Sequence, residues 1–152
     1  MEKDLKDKVV GIRFEIPNDR GTFIKDIFNG IDIASYRWNI MEEEILFSNG
    51  YSLDDDYYTD EDMVEILDKE MYLISATFQL TKENVITSTI ESYDEFVKSE
   101  CEILFVVIDS SYVDLYAKNL EDIMIVKNNA IKNKYKNIEF IFNDNNPRNI
   151  LK

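Results

Sequence analysis

The chain opens on alternation. Val10, Ile12, Phe14 and Ile16 alternate with Gly11, Arg13 and Glu15. This is the period-two pattern of a half-buried strand, and Pro17 lacks the amide that would continue the ladder. The period then changes. Phe23, Ile24, Ile27, Phe28 and Ile31 recur at helical spacing, with Asn29-Gly30 as a stop. "YRWNIM" and "EILFS" read as two further strands, the second ending at the turn pair Asn49-Gly50. Behind Thr59, with Asp62 three residues on, Met63, Ile66 and Leu67 form an apolar stripe. That spacing predicts a helix started by a variant capping box. Tyr72, Ile74, Ala76, Phe78 and Leu80 alternate again, and "VITSTI" reads as a shorter strand. Ser92 and Glu95 have the capping-box spacing before Phe96 and Val97, which predicts a short helix. Ile103 to Ile108 is an unbroken apolar run, the pattern of a strand buried on both faces. "DSS" turns the chain into Val113, Leu115 and Ala117, a hairpin whose turn type is not fixed without a glycine. Asn119 then caps a long helix with Leu120, Ile123, Met124 and Ile131 on one face, and Ile138, Phe140 and Phe142 make the last strand.

Hairpins interleaved with single helices predict an α+β fold. We expect one domain over 1–152: a mostly antiparallel sheet with about four helices packed on one side. Residues 1–8 and 143–152 read as frayed ends. Hydrophobic residues make up 45% of the chain, enough for a proper core. The Ile103–Ile108 run is far short of the ~20 apolar residues that span a bilayer, and "MEKDLKDKVV" lacks the apolar stretch of a secretory signal. A single cysteine, Cys101, cannot form an internal disulfide. A reducing, cytoplasmic location away from membranes is the expectation.

Charge changes the picture more than composition does. The net charge is −14, and the segment Glu42 to Glu70 contributes −11 of it through twelve acids and one base, Lys69. A concentrated acidic segment attracts cations and basic proteins and repels phosphate, so nucleic acid is not an expected partner. Asp60, Glu61 and Asp62 have a local reason to be acidic, at the positive end of a helix dipole. Asp54, Asp55 and Asp56 have none.

Little catalytic chemistry is on offer. There is no histidine, so Ser110, Ser111 and Cys101 have no imidazole to activate them, and a zinc site of the usual Cys/His kind is excluded by count. No glycine-rich phosphate loop exists, and no cofactor is called for. Asp54, Asp56, Asp60, Asp62 and Glu65 fall at positions 1, 3, 7, 9 and 12 of a calcium-loop register, but Thr59 stands where the turn needs glycine. They are weak metal candidates. Carboxylate pairs for acid–base catalysis are unspecific in a chain this acidic, and enzymatic activity is not expected. Tyr36, Trp38, Tyr51, Tyr57 and Tyr58 lie close to the acids. Such aromatics anchor binding surfaces, or fill a core.

"GIRFEIPNDRGTF" and "YDEFVKSECEILFVVIDSSYVDLYAKN" resemble an uncharacterised domain-of-unknown-function family of short acidic proteins from Gram-positive bacteria. The resemblance implies a stand-alone, single-domain bacterial protein. It brings no reaction, cofactor or catalytic residue with it. The preferred expectation is a protein-binding module whose acidic face, Glu42 to Glu70, docks on a basic partner. Its contact residues would be Asp54, Asp55, Asp56, Tyr57, Tyr58, Asp60 and Glu61, and its sharpest form is a toxin-neutralising immunity protein. The alternative is a metal- or small-ligand-binding protein, a carboxylate-dependent enzyme included.

Overall fold

The computed structural model describes residues 9–55, 57–82 and 90–143, the side chain of Glu42 aside. The strands are β1 (Val9–Glu15), β2 (Arg20–Gly21), β3 (Tyr36–Phe47), β4 (Tyr57–Tyr58), β5 (Met71–Lys82), β6 (Cys101–Ile108), β7 (Tyr112–Ala117) and β8 (Lys136–Phe142). The helices are α1 (Phe23–Ile27), α2 (Asp60–Leu67), α3 (Tyr93–Lys98) and α4 (Leu120–Lys132). All eight strands belong to one sheet, in the order β4-β3-β5-β6-β7-β1-β8, with β2 beside the start of β5. Every pairing is antiparallel. The fold is α+β and mostly sheet, as the alternation predicts.

The helices do not all share one face. α1, α2 and α4 lay Ile24, Ile27, Met63, Ile66, Ile123 and Val126 against one side of the sheet. α3 covers the other, where Phe96 packs with Leu104, Val106, Tyr116 and Val10. The apolar run of β6 explains the split. Ile103, Phe105 and Val107 point to the first layer, while Leu104 and Val106 need a cover of their own.

Trp38 is fully buried, so the core reading of this residue is the right one. Its ring meets Phe28 at 5.1 Å and Phe78 at 5.9 Å, both edge-on, and Phe105 closes the group. The indole N–H has no acceptor among the described residues, so packing area and ring edges hold it.

Two expected strands are one. "YRWNIM" and "EILFS" run together as β3, whose register against β5 shifts between Met41 and Glu44 and shifts back between Glu44 and Ile45. The extra residue in β3 is matched by one in β5 at Ile74, and the carbonyl of Ile74 accepts instead from Ser110 N in the β6–β7 turn. That turn places Asp109 (φ 51°) and Ser110 (φ 68°) in the left-handed region, as the primed hairpin turns do. On α4, Ile131 is exposed rather than on the packed face, which is Ile123, Val126, Asn129 and Ala130. Most of "VITSTI" and the ends 1–8 and 144–152 lie outside the described residues.

Candidate functional site

The acidic segment is built in three pieces: the last half of β3, a loop, and α2. The loop returns to the sheet through β4, where Tyr58 pairs with Trp38 and Tyr57 with Asn39. Adjacent residues of a strand face opposite ways, so Tyr58 turns inward and Tyr57 outward. The buried Tyr58 hydroxyl then accepts a hydrogen bond from Asp55 N at 2.9 Å and ties the loop down. One residue later α2 begins with the capping box expected from the sequence. Thr59 Oγ1 accepts from Asp62 N, and Asp62 Oδ2 accepts from Thr59 N, each at 3.3 Å.

Between this loop and α2 lies a cleft of about 240 Å³, lined by Tyr51, Asp55, Tyr58, Asp62, Glu65, Ile66 and Lys69. The Tyr51 ring stands edge-on to Phe47 at 5.1 Å and carries the Lys69 ammonium 4.7 Å from its centroid. Burial raises the Tyr51 phenol above its ordinary pKa, and the charges of Asp54, Glu65, Asp62 and Asp55 raise it further. The acids therefore converge in space on one aromatic ring. On the other side of the strand pair, Arg37 lies 5.7 Å from the centre of the Tyr57 ring.

The sequence-predicted contact residues divide. Asp54, Asp55, Tyr57 and Glu61 are exposed, and Asp60 is half-buried in the first turn of α2. Tyr58 is 4% exposed, which removes it as a direct contact; it shapes the loop from beneath. Asp56 lies outside the described residues. Acids at the ends of the segment have structural partners: Asp68 Oδ1 pairs with Lys25 Nζ at 2.6 Å, and Glu70 Oε1 accepts from Ser48 Oγ at 2.8 Å.

The calcium-loop register is corrected by α2. Asp60, Asp62 and Glu65 sit on a helix, so no twelve-residue coordinating loop passes through them, and the Asp62 carboxylate is engaged in the cap. Among the described residues no three acids or cysteines are grouped to hold a metal. Lys69 is the residue that sequence reasoning passed over. The signal was present, since Asp62, Glu65, Ile66 and Lys69 follow the spacing of one helix face.

Comparison with known proteins agrees with the resemblance. A family model described as "Protein of unknown function (DUF2691)" matches residues 9–152. The chain is also similar to "Uncharacterized protein YncE" of Bacillus subtilis (strain 168), 28% identical over 148 residues that cover 93% of this chain and 97% of that protein. No solved structure matches.

Proposed function

We propose that this chain, which belongs to the DUF2691 family of proteins of unknown function, is a non-catalytic binding module whose Glu42–Glu70 face docks on a basic protein. The observation that carries the reading is the cleft around Tyr51. It gathers Asp55, Asp62 and Glu65 about an aromatic face that already seats a lysine ammonium. A concentrated negative field speeds the encounter with a basic surface, and aromatic rings then hold the arriving cations. Asp54, Asp55, Tyr57, Asp60 and Glu61 extend the surface, with Asp56 between them in the sequence. Neutralisation of a basic toxin is the sharpest version of this role. The free, buried Cys101 suits a reducing, cytoplasmic setting.

The test is capture from a host-cell lysate by the wild type and by an Asp54→Asn, Asp55→Asn, Asp56→Asn variant, followed by kinetics with the purified partner. A basic protein should bind the wild type, with an association rate that falls about tenfold or more between low and high salt. The triple variant should start near the high-salt rate. An association rate that ignores both salt and the three substitutions would sink the proposal. A metal-binding protein would instead give a saturable thermal shift with calcium, magnesium or manganese.

A further inference from the structure

At the opposite edge of the sheet, two clefts meet at Glu15. One, of about 400 Å³, is lined by Arg13, Glu15, Ile108, Tyr112, Asp114 and Glu139 among others. The second, of about 300 Å³, is lined by Pro17, Asn18, Ser111, Lys134, Tyr135 and Lys136 beside Glu15. Together they bend around the end of β1 and have the size of an ordinary small-molecule site.

The groove is electrically two-ended. The larger cleft is lined by three carboxylates, Glu15, Asp114 and Glu139, and one guanidinium, Arg13. Arg13 is already held by Asp114 through two bonds of 2.7 and 3.0 Å, while Glu15 accepts from Asn137 Nδ2 at 2.5 Å. Tyr112, 53% exposed, stands over this end beside Ile108. At the other end Lys134 and Lys136 make no ion pair among the described residues.

Lys134 is also in the wrong place for stability. It ends α4 at φ 60°, with Lys134 N bonded to Ile131 O and Tyr135 N to Ala130 O. This is the Schellman arrangement, whose left-handed position is ordinarily glycine. The four left-handed non-glycine residues of the described chain are Asp109, Ser110, Lys134 and Asn137. Asp109 and Ser110 are accounted for by the β6–β7 hairpin turn, while Lys134 and Asn137, around the α4–β8 turn, line the groove itself. Backbone strain persists where something other than stability keeps it, and a charge aimed at a ligand is such a reason.

We propose that this groove binds a small zwitterion of the amino-acid or dipeptide kind. Its carboxylate lies between Lys134 and Lys136 and its ammonium among Glu15, Asp114 and Glu139, with an apolar side chain on Tyr112 and Ile108. The site is separate from the acidic docking face, so either reading can fail alone.

The experiment is titration of the ¹⁵N-labelled protein with leucyl-glycine, N-acetyl-leucyl-glycine and leucyl-glycine amide, followed by amide shifts. Leucyl-glycine should bind saturably, with shifts confined to Glu15, Ser111, Lys134 and their neighbours. Each capped form should bind at least tenfold more weakly. A Lys134→Gly variant should melt at a higher temperature than the wild type and yet lose tenfold or more in affinity, which separates binding from folding. Absence of saturable binding, equal binding of the capped forms, or undiminished binding by Lys134→Gly would each overturn the proposal.

Discussion

The Tyr58 hydroxyl fastens the acidic loop to the sheet, accepting a hydrogen bond from Asp55 N. Replacing Tyr58 by Phe keeps the buried ring and deletes only that acceptor. The expected cost is about 1 kcal/mol, and hydrogen exchange at Asp55 N should accelerate with little change elsewhere. Unchanged exchange at that amide would mean that the loop is held by something else. Tyr57 and Tyr58 also mark how far single residues are legible. The Thr59–Asp62 cap is readable because both partners lie within one turn and the geometry is local. The opposite fates of the two tyrosines are not, because a two-residue strand offers no alternation from which to read a face. Lys134 is hidden for a different reason: nothing in its side chain announces a position that glycine usually fills.

Among the elements, β3 carries the most unexpected design. Among the described residues its partner β4 pairs with Trp38 and Asn39 alone. Glu43 and Glu44, both exposed, follow at the bulge, where no described strand pairs with that side of β3. Charge and a bulge are the standard means of keeping a sheet edge from pairing with another chain. Changing Glu43 and Glu44 to Thr should therefore produce concentration-dependent association, read by light scattering, with little loss of thermal stability. A variant that stays dispersed at high concentration would show that the edge is blocked by other means. The same glutamates explain why β3 reads as two strands, since a polar interruption in an apolar alternation looks like a break. The placing of α3 was equally out of reach. Its own stripe is short, and only the sheet reveals that Leu104 and Val106 lack a cover on their side. β1 and β5 are legible from repeated alternation, β6 from its unbroken apolar run, and α4 as a helix from its cap and spacing, though not the side on which Ile131 falls.

For the molecule as a whole, acidic groups buried in their protonated form tie stability to alkaline pH. Burial lifts the Cys101 thiol from 9.0 to about 12, and the Tyr116 and Tyr36 phenols from 10.0 to about 12. The unfolded chain releases these protons first. Their contribution is therefore complete below about pH 9 and drains away between pH 9 and 12. The urea midpoint should fall between pH 8 and pH 10.5, and a midpoint that holds or rises would contradict the assigned burial. Charge distribution has a further consequence on the acidic face. Tyr51 and Tyr57 each hold a cation that the chain itself provides, Lys69 and Arg37. An incoming ammonium that takes the same ring face displaces one of these tenants, and an exchange of one cation for another gains almost nothing. On the proposed docking role, a ligand bringing several cations at once, enough to engage the outlying carboxylates of Asp54 and Glu61 as well, gains more than it displaces. In that role the surface therefore selects for partners by the number of positive charges they bring together.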